Sequence, residues 1–380
     1  MSAPRPLVHV VAGLGAGGAE TFLLRLLRAD PRLREASRIV SIRPLDALSA
    51  QFEALGVPVL KLPLAANLRL PGHLLALRRT LADKDTRLIQ SWLYLSDTLA
   101  AVLGAGKPVV WGIRSSHGAR GKRLTGLLAR RVNPWLSSRG PATIVCCGQQ
   151  ALEAHRALGY ATERLHLIPN GYEIDRFEPD PAAGAALRAE LGLAPDAFVV
   201  GMAARTDIYK DHGTLLQAVA LARKQLPNLH LLLCGKGTDE EPIAALIRHH
   251  GLEGVCLPLG LQGDMRRFYA ALDLHVLSSR SEGFPNVVAE ASLYGCGSLS
   301  TDVGDARALL ADPASLIPPG DASTMCERIL AFQALPPAGR AQQIAANRAV
   351  VASQFDMNRI AQLYRATYEA LAPGLLGGQT

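Results

Sequence analysis

Short apolar runs rich in β-branched residues recur along this chain, and most are followed by a longer stretch with helical periodicity. The first series reads VHVVAG (8–13), RIVSIR (38–43), PVLKLP (58–63), RLIQSW (87–92), PVVWGI (108–113), TIVCCG (143–148) and HLIPN (166–170). The second reads FVVGMAAR (198–205), LHLLLCG (229–235), VCLPLG (255–260), LHVLSS (274–279) and GSLSTD (297–302). Strands that are apolar throughout are covered on both faces, which calls for parallel sheets flanked by helices. Two such series predict an α/β chain with two Rossmann-like, doubly wound parallel-sheet domains. A length of 380 residues also exceeds what one core usually serves.

The two series place the first domain at 1–175 and the second at 197–355. Between them RFEPDPAAGAALRAELGLAPDA (176–197), rich in Pro, Ala and charge, reads as a linker over 176–196. The periodic segment MNRIAQLYRATYEALA (357–372) predicts a C-terminal helix within 356–373, for which a return to the first domain is open. Doubly wound sheets hold ligands at the carboxyl ends of their strands, so a cleft between two of them is the expected site.

No run of about 18 apolar residues is present, so no transmembrane helix is predicted. The N-terminal apolar run breaks into glycines, unlike a signal peptide. Cys146, Cys147, Cys234, Cys256, Cys296 and Cys326 show neither Cys-x-x-Cys nor Cys/His zinc spacing. Most lie in strand-like runs, where a buried free thiol is the ordinary state, and a reducing cytoplasm is expected. The net charge of +7 is concentrated: residues 98–152 contain no Asp or Glu but eight Lys and Arg. That segment suits a phosphate-bearing substrate, an anionic membrane surface or a solvated basic face. No aromatic-interleaved basic motif supports nucleic-acid binding.

Three motifs follow predicted strands. GLGAGGAE (13–20) matches G-x-G-x-x-G through Gly13, Gly15 and Gly18. A dinucleotide reading of that loop also needs an acid at the end of the second strand, where Arg43 stands, leaving an NADP-dependent oxidoreductase as the rival reading. ARTDIYKD (204–211) brings Arg205 and Lys210 to a strand end, where two cations can clamp a diphosphate. SEGFPNVVAEA (281–291) has Pro285 placed as a first helical residue, with Gly283, Phe284 and Asn286 offering backbone N–H groups. Glu282 and Glu290 there can each accept from vicinal hydroxyls of a sugar or ribose. Asp83-Lys84-Asp85 precedes a strand and reads as a polar turn, so no metal is expected.

In combination and order these pieces resemble the retaining glycosyltransferases of family 4, which have the GT-B fold. The resemblance rests on GGAE (17–20), VVWGIRSSH (109–117), HLIPNGYEIDRF (166–177), AARTDIYKD, EGFPNVVAE and TDVGD (301–305), and it covers nearly the whole chain. It implies transfer of a sugar from a UDP- or GDP-linked donor to a saccharide or lipid-linked acceptor, without metal or cofactor. By the same resemblance the first domain would take the acceptor and the second the donor. Glu290 would hold the donor ribose, and Glu282 with the Gly283–Asn286 backbone the donor sugar. Arg205 and Lys210 would neutralise the leaving diphosphate, and Gly17 and Gly18 would approach it from the first domain. His117 matches the family's histidine near a strand end, with Arg114 closer to that end. The chain departs from the family at Tyr294-Gly295-Cys296-Gly297-Ser298, where a packing change is expected. Arg114, Arg120, Lys122 and Arg123 are candidate acceptor contacts, and GARGKRLTGLLARRVNPWL (118–136) a candidate basic amphipathic helix for a membrane surface. Bacterial surface polysaccharide or lipopolysaccharide assembly is the expected setting, at the inner face of the cytoplasmic membrane. A third reading, an idle sugar-binding scaffold, is weakened by the presence of both glutamates and both cations.

Overall fold

The structure is a computed structural model, and it describes residues 5–15, 17–64, 69–115, 124–140 and 142–377. The chain divides into two compact units, residues 1–173 with 355–380 and residues 174–354.

The first unit holds a seven-stranded parallel sheet in the order β3-β2-β1-β4-β5-β6-β7. Its strands are β1 (Leu7–Val11), β2 (Ser37–Ser41), β3 (Val59–Lys61), β4 (Leu88–Trp92), β5 (Val109–Ile113), β6 (Thr143–Cys146) and β7 (Leu165–Leu167). The observed strands are shorter than their apolar runs; in β1, β2, β3, β6 and β7 the last two or three residues of the run lie in the loop at the carboxyl edge, while β4 and β5 end with their runs at Trp92 and Ile113. β1, β4 and β5 are buried along their whole length, as strands covered on both faces must be. In register, Val10 lies opposite Val40 on one side and Ser91 on the other.

The helix Gly18–Ala29 turns Phe22, Leu23, Leu26 and Leu27 inward. The last helix, Met357–Leu371, packs against it through Ile360, Ala361, Tyr364 and Tyr368 in one core cluster. Tyr368 donates to Gln90 Oε1 at 2.9 Å, which satisfies a buried phenol. Gly171 permits that packing, since a Cβ there would come within 2.9 Å of Ile360 Cγ1. Burial of each large side chain in such a core contributes about 1.5–3 kcal/mol.

The second unit holds a six-stranded parallel sheet in the order β10-β9-β8-β11-β12-β13. These are β8 (Phe198–Ala203), β9 (Leu229–Cys234), β10 (Cys256–Pro258), β11 (Leu274–Leu277), β12 (Gly297–Thr301) and β13 (Leu316–Ile317). β13 is not legible in the sequence, since two residues flanked by turns carry no period.

The stretch 176–196, whose composition suggests a linker, contains the helix Pro181–Glu190 and belongs to the second unit. Asp180 caps it by accepting from Ala183 N, and Pro181 takes its first position. Gly184 lets it dock, because a Cβ there would lie 2.2 Å from Ala270 O. Arg188 then pairs with Asp273 at 2.7 Å. The Pro and Ala that suggest a linker are a helix start and a small packing face.

Among the described residues, no helix is long and apolar enough to cross a membrane. All six cysteines are buried and none is part of a disulfide.

Candidate active site

Each sheet reverses its winding once, and ligands of such sheets gather where the strand order reverses. In the second sheet that point falls between β8 and β11. The loop leaving β8 carries Arg205 and Lys210, and the loop leaving β11 carries Glu282 and the start of the helix Asn286–Leu293.

The tip of the β11 loop meets the β8 loop directly. Lys210 Nζ lies 2.5 Å from Glu282 Oε1, and Ser279 Oγ donates to the same oxygen at 2.6 Å. The Lys210 and Glu282 side chains are only 21% and 12% exposed, so water screens the pair less than a surface ion pair.

Four further contacts hold the two loops in register. Ser278 Oγ sits 3.0 Å from both Lys210 O and Asp211 O. The Arg280 backbone N–H donates to Tyr209 O at 2.7 Å, and its side-chain Nε meets Asp211 Oδ2 at 2.7 Å. Asp211 has φ 49 and caps the helix His212–Ala222 by accepting from Thr214 N.

The loop leaving β12 closes the arrangement from behind. Thr301 Oγ1 donates to Ser279 O at 2.6 Å, and Asp305 N donates to Gly283 O at 3.2 Å. Gly304 has φ +59, and a Cβ on it would meet Gly283 O at 2.7 Å and Glu282 Cβ at 2.9 Å. Only glycine serves there, on conformation and on space.

Arg205 is held differently from Lys210. Its guanidinium is 68% exposed and pairs with Asp207 at 3.0 Å. The backbone beneath it is fixed by Thr206 N donating to Lys236 O at 2.8 Å. A Cβ at Gly235 would lie 2.2 Å from Ala204 O, so the β9 loop must pass this point as glycine.

Pro285 stands at the N-cap with φ −78, one residue before the helix, and Asn286 is the first helical residue. The Asn286 N–H donates to Phe284 O at 2.9 Å, so it is not free for a ligand as the sequence suggested. The Phe284 side chain is buried. Glu290 is half-buried in the second turn, and Val288 faces fully inward. Ser278, Ser279, Asp211, Arg280 and Gly304 position this site; Asp211 closes ARTDIYKD and Gly304 lies in TDVGD, but neither motif assigns them a role. For Ser278, Ser279, Arg280 and Gly304 the signal is position, polar or glycine residues one to three places past a strand, while Asp211 stands eight places past β8.

In the first unit, Gly17 is the N-cap of the helix Gly18–Ala29. The loop before it is pinned by Leu14 N donating to Leu45 O at 2.7 Å and by Leu48 N donating to Leu14 O at 2.9 Å. Glu20 folds back over the helix start, and a Cβ at Gly17 would lie 2.5 Å from its Oε2. Burial raises the Glu20 pKa, against a hydrogen bond from its own backbone N–H that lowers it. A carboxylate beside this helix start is unfavourable to a dinucleotide pyrophosphate, which weakens the NADP reading.

Arg114 does not stand free as an acceptor contact. Its guanidinium lies 3.8 Å above the Phe22 ring and 5.8 Å from the Trp92 ring, and it donates to Asn170 Oδ1. His117, Arg120, Lys122 and Arg123 lie outside the described residues. The expected helix over 118–136 is described from Leu124 onward and is not uniform: a π-helical turn Leu128–Val132 separates a short α-turn from Asn133–Ser137. Leu127 and Trp135 are exposed there, with Arg130 and Arg131 beside them in the chain. Asp83 Oδ1 accepts from Asp85 N at 2.8 Å, so this D-x-D is a turn before β4.

Residues 17–171 match the family described as "Glycosyl transferase 4-like domain", and residues 185–349 match "Glycosyl transferases group 1". The Bacillus subtilis protein named as glycosyltransferase EpsF is 26% identical over 79% of this chain and 80% of its own length. The lipopolysaccharide core biosynthesis glycosyltransferase LpsE of Rhizobium meliloti is 32% identical over 43% of this chain and 45% of its own. Among solved structures, Anabaena HepE in complex with UDP and glucose aligns with a TM-score of 0.84. That likeness has 22% identity and covers 96% of this chain and 100% of the other. Two matched domains across the chain, with this fold, show that it belongs to the family 4 type of glycosyltransferases, built on the GT-B fold.

Proposed function

We propose that the protein transfers a sugar, with retention of anomeric configuration, from a UDP- or GDP-linked donor to a saccharide or lipid-linked acceptor. The second unit takes the donor and the first unit the acceptor. The observation that carries this reading is the meeting of Lys210, Glu282 and Ser279 at the strand-order reversal of the second sheet. A cation beside a hydroxyl-binding carboxylate suits the junction of a diphosphate with its sugar. UDP is favoured by the UDP complex of HepE.

In the proposed step the bond from the anomeric carbon to the donor phosphate oxygen breaks, and the acceptor oxygen bonds to the same face of that carbon. The acceptor proton passes to the departing phosphate oxygen. Negative charge grows on the diphosphate, where Lys210 and Arg205 stabilise it without a metal or cofactor. Glu290 holds the ribose, and Glu282 with the Gly283–Phe284 backbone holds the sugar.

The setting we propose is lipopolysaccharide or surface polysaccharide assembly in the cytoplasm, at an anionic membrane face. LpsE supports the pathway. Exposed Leu127 and Trp135 beside Arg130 and Arg131 support the membrane contact.

Thermal-shift measurements with UDP, GDP, UDP-glucose and NADP test the core of the proposal. Stabilisation by one nucleotide diphosphate, weakened in Glu290→Ala, is the expected outcome. Stabilisation by NADP alone overturns it. NMR of the product's anomeric configuration tests retention, activity in EDTA tests metal independence, and low-salt co-sedimentation with anionic vesicles tests the membrane contact.

A further inference from the structure

At the carboxyl edge of the first sheet, where β2 and β3 end, lies a cavity of about 190 Å³ lined by Ser41, Arg43, Pro44, Leu45, Asp46, Lys61 and Pro63. It adjoins the glycine loop, because Leu45 O accepts from Leu14 N at 2.7 Å. Hydrogen bonds tie its walls together. Leu62 N donates to Ser41 O at 2.8 Å and Leu64 N to Ile42 O at 2.9 Å, while Ser41 Oγ donates to Arg43 O at 3.1 Å.

Two cations face this recess and only one is paired. Lys61 Nζ meets Asp46 Oδ2 at 2.6 Å, with both side chains about half exposed. Arg43 is exposed and has no side-chain partner among the described residues. Its planar fork matches the oxygens of a phosphate or a carboxylate. The volume is below the ~300–1,000 Å³ of a complete small-molecule site, so the recess takes one group of a larger molecule.

We propose that this recess is a subsite for an oxyanion, a phosphate or a carboxylate, carried by the acceptor saccharide and held by Arg43 and Lys61. The proposal rests on the reading of the first unit as acceptor-binding. Asp46 sets the affinity, because it holds Lys61 across the recess and repels an arriving anion.

The test is calorimetric titration of the full chain at low ionic strength with UDP present. The probes are glucose 6-phosphate, glucuronate and glucose. The two anionic sugars are expected to bind and neutral glucose not. Comparing the two separates a phosphate from a carboxylate ligand. Arg43→Ala is expected to weaken anion binding about fivefold, the upper range for one exposed ion pair, and Asp46→Asn to strengthen it. UDP binding stays unchanged in both variants. Equal binding of all three sugars, no binding of either anion, or anion binding indifferent to Arg43→Ala overturns the proposal. Absence of both UDP and GDP binding in the unaltered chain instead overturns the proposed donor reading, so the two failures are distinct.

Discussion

Lys210 and Glu282 are 72 residues apart in the chain and form a 2.5 Å ion pair across two loops of one sheet edge. Each residue therefore sets the position of the other, and Ser279 fixes the carboxylate oxygen they share. Lys210→Ala is expected to lower kcat/KM about a hundredfold, as loss of one contact to a developing charge does. Nucleoside binding is expected to survive. Combining Lys210→Ala with Glu282→Gln should cost less than the sum of the two, since each alone already breaks the pair. Strict additivity in kcat/KM would mean that the two act independently.

Gly304 backs Glu282 at φ +59 with no room for a Cβ. Gly304→Ala is expected to cost about 2 kcal/mol, or about 4–8 °C in Tm, and to reduce turnover by displacing Glu282. Gly263 serves as the control, because a Cβ there meets nothing within 4 Å. Gly263→Ala should leave the melting curve and the rate in place. Equal effects of the two substitutions would remove Gly304 from the positioning of the site.

Asp97 is fully buried in the first unit and accepts from Ser91 Oγ at 2.7 Å. Burial pushes its pKa up to about 7, against the lowering effect of hydrogen bonds from Ser91 and the Gly112 backbone. Between about pH 4 and 7 the folded chain keeps a proton that the unfolded chain has released. Stability from this group therefore falls as pH rises through that window. The stability advantage of Asp97→Asn over the unaltered chain should grow with pH by about 1.4 kcal/mol per unit across it. Denaturant melts at pH 4.5, 6 and 7.5 read this directly, and a pH-independent difference would show that Asp97 titrates normally.

Burial pushes the Cys256 thiol up to about 12 and the Cys234 thiol up to about 11. Thiolate is the reactive form, so thiol reagents at pH 8 should label the native protein slowly and the unfolded protein fast. Stoichiometric labelling of the native chain within the mixing time would expose a thiol that the fold shows as covered.

Strands are readable wherever both faces are buried, as in LVHVV and FVVGMA, because an uninterrupted apolar run between turn residues suits a strand with no solvent face. Leu316–Ile317 is not readable, since two residues cannot display a pattern. The helix Pro181–Glu190 escapes a compositional reading because its glycine and alanines, which look like linker, are what allow contact with Ala270. Asp180 before Pro181 is the cue for it, an N-cap followed by the favoured first residue of a helix.

The sequence by itself determined the two-sheet α/β class, the loops that bear the charged residues and the family resemblance. These depend on local apolar runs and on residue types at strand ends, which are written in order along the chain. Only the tertiary structure decided that Lys210 pairs with Glu282, that Arg114 stacks on Phe22 and that Glu20 closes the helix start above Gly17. Parallel strand order brings β8 beside β11 although β9 and β10 intervene in the chain. Which charges meet is then set by the sheet and by the low tolerance of a part-buried carboxylate for being left alone.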